Sequence, residues 1–271
     1  MSRVISGRSD KLGILDLFRL DGKRALVTGG SRGLGRSMAL ALADVGADII
    51  IIGRNQDTLD ATAGEIRALG RQAWTIAADM SAPAECEKAC AHAIDEMGPI
   101  DILINNVGNR EVNVPIEDEP LEVWQRMVDL NLTSCFIGAK LVGKAMLERG
   151  KGGRIINIAS ISAIIANRGI AGRHYETAKA AVLHFSRCAA ADWAPHGITV
   201  NAICPGLFMT DANKQWNKTR PDVIQAIVAN IPMGRTGEPE EIGPLAVYLA
   251  SPAAAYVTGA AYVIDGGYTL W

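Results

Sequence analysis

Seven short aliphatic runs alternate with longer alanine-rich segments along this chain, and the alternation limits its fold more than any other feature. The runs are RALVTG, ADIIIIG, QAWTIAAD, DILINNVG, GRIINIAS, GITVNAICPG and AAYVIDGG. Their β-branched content predicts strands, while segments such as LGRSMALALADVG and DTLDATAGEIRALG repeat apolar residues at three- and four-residue spacing and predict crossover helices. Strand and helix in alternation make a parallel sheet with helices on its faces. At 271 residues the chain has room for one large α/β domain or two small ones. No Ser/Gly- or Pro-rich linker, charge block or internal repeat divides it, so one doubly wound α/β domain with a seven-stranded sheet is expected. The one long irregular stretch, 207–235, follows the sixth strand, where a connection of that length is usually functional and faces the carboxyl edge of the sheet.

With a net charge of −2, there is no electrostatic reason to expect nucleic acid or an anionic membrane as a partner, and a small molecule is the better expectation. Arg3, Arg8, Asp10, Lys11 and Asp16 interrupt the apolar residues of the N-terminus, which argues against a signal peptide and for a cytoplasmic protein. The most membrane-like run, Pro244 to Ile264, is punctuated by Ser251, Pro252 and Gly259 and reads as helix, turn and strand. Of the 5 cysteines, Cys86 and Cys90 could share a helix face, but no further ligands stand at a matching spacing; buried, reduced thiols and no metal site are expected.

Directly after the first strand run comes TGGSRGLGRSMA. Gly29, Gly33 and Gly35 allow a tight turn and a close approach of backbone to a pyrophosphate, with Ser31, Arg32 and Leu34 between them; the helix that follows offers free N–H groups and its positive dipole end. The G-x-x-x-G-x-G spacing departs from the usual dinucleotide fingerprint, so the next strand is the test. An NAD site would offer an acidic group to the ribose there. This strand instead ends in IIGRN, delivering Arg54 and Asn55, and Arg54 with Arg32 would embrace a 2′-phosphate. NADP(H) is therefore the preferred cofactor, with NAD(H) possible.

In GRHYETAKAAV, Tyr175 and Lys179 stand one helical turn apart. A phenol titrates near pH 10 in water, and a lysine on the same face would lower its pKa toward the working range, making a tuned proton donor and acceptor. The ordered set TGGSRGLG, NNVG, NIAS, YETAK and CPGLFMT resembles the short-chain dehydrogenase/reductase family from about Asp21 onward. The resemblance implies a single Rossmann-fold domain over 21–271, with 1–20 as an N-terminal extension and about 207–235 as a substrate lid. It implies hydride transfer with Tyr175 as acid/base, Lys179 tuning it and holding the nicotinamide ribose, and Asn131 positioning a relay water. The catalytic serine is Ser160 by its strand context in RIINIAS, whereas Ser162 stands at the usual interval from the tyrosine; strand context favours Ser160. Asp79 and the adjacent Met80 would meet the adenine, Asn105 opens the NNVG turn whose Asn106, Val107 and Gly108 line the ribose, and Pro205, Gly206 and Thr210 would hold the carboxamide end.

Specificity falls to the loop 161–174, with Asn167, Arg168, Arg173 and His174, to the segment after Gly108, with Asn109 and Arg110, and to the region beyond Pro205. This polar, partly basic lining suits a hydroxylated or acidic substrate better than a steroid or long acyl chain. LFRLDGKRALVTGG, NNVGN and DGGYTLW most resemble the gluconate 5-dehydrogenase branch, with 3-oxoacyl carrier-protein reductase as the alternative enzyme and a cofactor-binding regulatory protein as the non-enzyme alternative. The resemblance also implies a homotetramer.

Overall fold

The computed structural model describes residues 13–167 and 170–270. Seven strands, β1 (Arg24–Thr28), β2 (Asp48–Gly53), β3 (Ala73–Ala77), β4 (Ile102–Asn105), β5 (Gly153–Ile158), β6 (Ile198–Pro205) and β7 (Ala261–Ile264), form one sheet. Each falls within one of the seven aliphatic runs. Their order is β3-β2-β1-β4-β5-β6-β7, with every pair parallel. The chain builds outward from β1 to β3 and then crosses back to lay β4 on the free side of β1. That reversal opens a crevice between the carboxyl ends of β1 and β4.

The helices are α1 (Gly33–Asp44), α2 (Gln56–Ala68), α3 (Pro83–Glu96), α4 (Leu121–Val128), α5 (Ser134–Arg149), α6 (Arg173–Trp193), α7 (Asp211–Thr219), α8 (Pro221–Val228) and α9 (Gly243–Ala250). Strand periodicity divides the core between two faces. Ile49 and Ile51 of β2 join Val27, Ile104 and Ile156 in a cluster closed by Met38 and Leu42 of α1 and Leu249 of α9. Ile50 and Ile52 turn the other way, to Leu26, Leu103 and Ile155, under Cys90 of α3 and Val142 and Met146 of α5. A run of four isoleucines thus feeds both cores, one side chain at a time.

Two expectations are corrected. The stretch 207–235 is not irregular: it carries α7 and α8. The polar sequence of α7, DANKQWNKT, hides its helix from an apolar-period reading. Local chemistry starts it, because the Thr210 hydroxyl caps it by accepting from the Asn213 N–H, and Pro221 opens α8 where its missing N–H costs nothing. The N-terminal boundary also moves. Phe18 packs against the core and Leu20, 1% exposed, donates its N–H to the Val45 carbonyl, so the fold begins before residue 21. Arg168 and Trp271 lie outside the described residues.

The run from Pro244 to Ile264 is a helix, a short turn and β7, and among the described residues no helix is long and apolar enough to cross a membrane. Cys86, Cys90, Cys135 and Cys204 are buried and all five thiols are free, Cys188 being exposed. Among the described residues no three His, Cys, Asp or Glu side chains gather as a metal set would. The packing makes Ile50→Ala cost about 2–5 kcal/mol of unfolding free energy, read as a lowered urea midpoint with an unchanged slope.

Candidate active site

The glycine-rich turn is shaped by what it must pass. Gly29 and Gly33 take left-handed backbone (φ 65° and 54°). A side chain at Gly35 would strike the Gly29 carbonyl oxygen, and its Cβ would stand 2.5 Å from Nδ2 of Asn106. Asn106 ties the turn to the end of β4: its N–H donates to the Thr28 hydroxyl (3.0 Å), and its amide donates to the carbonyls of Thr28 (3.1 Å) and Gly29 (3.2 Å). Asn105 faces the interior, where its amide donates to Asn157 (2.9 Å) and the Cys135 carbonyl (3.3 Å). It builds the sheet and does not line the crevice.

This cradle fits the pyrophosphate of a dinucleotide. No side chain caps the start of α1, so its first N–H groups face the crevice without a side-chain partner. Thr210 packs over the turn, with its methyl 3.4 Å from the position of a Cβ on Gly33, and Gly206 passes so close to Asp265 that a Cβ there would come within 2.7 Å of it. The segment from Pro205 to Thr210 therefore closes over the same crevice. Arg32, in the turn, and Arg54, just after β2, are exposed, and neither forms an ion pair among the described residues. Asn55 caps α2, its side-chain oxygen accepting from the Thr58 N–H at 2.9 Å. Asp79 holds its own turn, accepting from the N–H (3.0 Å) and hydroxyl (2.8 Å) of Ser81. Burial pushes its carboxyl up, but those bonds and the Arg54 charge outweigh burial and hold it below the usual range. Met80 beside it is buried, and Val107 packs on the second core.

The side chains of Ser160, Tyr175 and Lys179 meet at the carboxyl end of β5. Lys179 is 3% exposed and donates to the Ile158 carbonyl at 2.9 Å, with its Nζ 5.8 Å from the Tyr175 ring centroid. Burial lowers its pKa to about 8. Ser160 neighbours the Tyr175 phenol and pulls its pKa down, and its Oγ accepts from the Ser162 N–H at 3.1 Å. The Ser162 hydroxyl accepts from the Asn167 amide at 2.8 Å.

The profile described as Enoyl-(Acyl carrier protein) reductase, of the short-chain type, matches residues 29–269. The chain belongs to the short-chain dehydrogenase/reductase family. It is 38% identical to a galactitol 2-dehydrogenase (L-tagatose-forming) of Cereibacter sphaeroides, over 94% of this chain and 98% of that one. It is 36% identical to a gluconate 5-dehydrogenase of Gluconobacter oxydans, again over 94% and 98%. The solved structure of a 3-oxoacyl (acyl-carrier-protein) reductase from Agrobacterium tumefaciens, which has NADP bound, superposes with a TM-score of 0.89 at 29% identity, covering 96% of this chain and all of that one. The protein is thus an oxidoreductase of this family, with a Rossmann-type parallel sheet.

Within this family member, Asn131 sits in a π-helical turn, Asp129–Thr133, between α4 and α5. It is fully buried, and its amide brackets Asn109: Oδ1 accepts from the Asn109 N–H (2.9 Å) while Nδ2 donates to the carbonyls of Asn109 (3.0 Å) and Met127 (2.9 Å). A Cβ on Gly108 would lie 2.5 Å from Lys179 Nζ and 2.7 Å from this Oδ1, so only glycine leaves the lysine and the asparagine in sight of one another.

Three features depart from the sequence reading. Tyr175 is buried enough that its pKa is raised above the ordinary phenol value; Ser160 and the Arg110 charge pull it back, and Glu176 pushes it further up. Arg110, with its guanidinium carbon 4.8 Å from the ring centroid, adds a charge that lowers the phenol and that the sequence reading did not place there, while Lys179 beside the same ring is tied to the Ile158 carbonyl. Glu176 was missed. A residue next to a catalytic one points elsewhere on a helix, and nothing in YETAK marks it. It is buried and gathers Arg110, Arg173 and Asn167. The basic lining expected of Arg110 and Arg173 is thereby engaged within the protein. His174 is wholly buried with Nδ1 on Glu119, outside the reactive cluster.

Lys179 carries a pH signature. Its folded pKa of about 8 lies below the ordinary 10.5, so between these values the unfolded chain binds more protons and stability rises with pH. Urea midpoints of the nucleotide-free protein should therefore climb from pH 8 to 10, and Lys179→Met should flatten the climb.

Proposed function

We propose that this chain is an NADP(H)-preferring dehydrogenase/reductase that interconverts a secondary alcohol and a ketone on a polyhydroxylated small molecule, a sugar acid or polyol. The observation that carries the reading is the meeting of Ser160, Tyr175 and Lys179 beside the glycine-rich turn at the carboxyl edge of the sheet. When bound, the nicotinamide supplies or accepts the hydride. In the reducing direction Ser160 and Tyr175 hydrogen-bond the carbonyl oxygen, and Tyr175 delivers the proton from its hydroxyl. Lys179, tied to Ile158, contributes positive charge beneath the site, and Asn131 holds the backbone of Asn109 at its rim. Gly29, Ser31, Gly33, Leu34 and Gly35 would carry the pyrophosphate, and Arg32 and Arg54 the 2′-phosphate.

The polyol and sugar-acid substrates in the names of the galactitol and gluconate relatives support a hydroxylated substrate. A second reading, reduction of a 3-oxoacyl thioester, is favoured by the acyl-carrier-protein description of the family profile. A cytoplasmic homotetramer belongs to the proposal and is checked by light scattering on eluted protein.

The deciding assay follows oxidation of NADPH, with NADH in parallel, on 5-keto-gluconate, on the ketoses of simple hexitols and on an acetoacetyl thioester. Turnover of a keto sugar or keto acid with NADPH is expected; turnover of the thioester alone sinks the substrate proposal. Arg54→Ala should reduce the preference for NADPH over NADH by roughly tenfold to a hundredfold, as loss of a charge-assisted phosphate contact does. An unchanged ratio would refute the role of Arg54. Tyr175→Phe should abolish turnover while leaving nucleotide binding, and persistence of activity would remove Tyr175 from the chemistry.

A further inference from the structure

We propose that Arg110 is the positioning residue for Tyr175: clasped by Glu176 and by the carbonyls that open α6, it holds the ring from its face and fixes a positive charge beside the phenol. The proposal rests on Tyr175 being the acid/base of the reaction.

The guanidinium carbon of Arg110 lies 4.8 Å from the Tyr175 ring centroid, within cation–π range. Both of its terminal nitrogens are engaged. Nη1 donates to the carbonyls of Ala171 (2.7 Å) and Gly172 (3.4 Å), and Nη2 to Glu176 Oε1 (3.4 Å). Glu176 is in turn fixed by the backbone N–H and side-chain amide of Asn167, both at 3.0 Å, and by Arg173. The side chains of Arg110 and Glu176 are only 18% and 9% exposed, which removes the solvent that makes most surface ion pairs weak.

The backbone is aimed as firmly as the side chain. Asn131 grips both peptide groups of Asn109, one residue before Arg110. Beyond it, Asn113 Oδ1 accepts from the Ala171 N–H (2.7 Å) and the Val114 carbonyl from the Gly172 N–H (2.8 Å). The segment after β4 is thereby laced to the entry of α6 immediately before Tyr175. A substrate carboxylate reaching Arg110 would have to displace Glu176 or two carbonyls, so the arginine acts through the tyrosine and not as a free anion site.

The charges facing the ring are Arg110 from the segment after β4, and Lys179 and Glu176 from α6. Arg173 is committed to Glu176 and His174 to Glu119, while Ser160 is neutral. Arg110 favours the phenolate and Glu176 opposes it, which makes opposite signs the discriminating readout. Tyr175 ionisation is isolated as the tyrosinate absorbance of NADP⁺-bound protein minus that of the same protein carrying Tyr175→Phe, a measurement that needs no turnover.

Arg110→Met is expected to move this ionisation up by about one pH unit and to lower kcat roughly tenfold with KM little changed; Glu176→Gln should move the ionisation down. Arg110→Lys should restore at least half of the shift, and if Arg110→Met does not fold, Arg110→Lys and Glu176→Gln decide. An unmoved ionisation in the Arg110→Met protein, the same sign in both variants, or a rise in KM with kcat intact overturns the proposal. Undiminished turnover by Tyr175→Phe would instead overturn the reading of Tyr175 on which it rests, so the two failures are told apart.

Discussion

The path of the chain between Gly29 and Gly35 is the constraint from which the rest of the site follows. Only bare backbone can leave β1, turn, and enter α1 past the Gly29 carbonyl, and only an amide as short as Asn106 can pin that turn to β4 without filling the crevice. Because β1 and β4 flank the point where strand order reverses, this contact joins the two halves of the sheet at the place where a nucleotide would lie. Thr210 then closes on the turn from the β6 side, so the ends of β1, β4 and β6 are held around one cleft.

Around Tyr175, burial and charge work against one another. Desolvation raises the phenol, Ser160 and the Arg110 charge oppose that rise, and the Glu176 carboxylate adds to it. A buried lysine at about 8 under the same ring adds a second titrating group close to neutral pH. These groups are held by backbone carbonyls and amides, those of Ile158, Ala171, Gly172 and Asn109, so their geometry belongs to the framework and not to mobile side-chain pairs.

The sheet was legible because its signal is local: each aliphatic run carries its own strand propensity, and no linker competed with a single domain. Helix α7 was not, since DANKQWNKT has no apolar period and forms from a threonine cap and its packing beside α8. The two serines illustrate the same limit. Spacing and strand context point to different residues, and neither shows what the fold adds, an Asn167 amide on the Ser162 hydroxyl and Ser160 beside the phenol. Asn55 read as a cofactor contact, and the structure adds a role the sequence reading did not give it, a helix cap made by its side-chain oxygen.

What the sequence alone determined is whatever depends on near neighbours: the strands, the glycines that permit a turn, and a tyrosine and lysine one helical turn apart. What only the tertiary structure decided is which charges meet across distant segments. Arg110 and Glu176 stand sixty-six residues apart, and their pairing over Tyr175 exists because the segment after β4 is laced to the start of α6. Electrostatic influence falls with distance in space and not along the chain, so no pattern in the residues could announce that Arg110 and Arg173 are already engaged by Glu176.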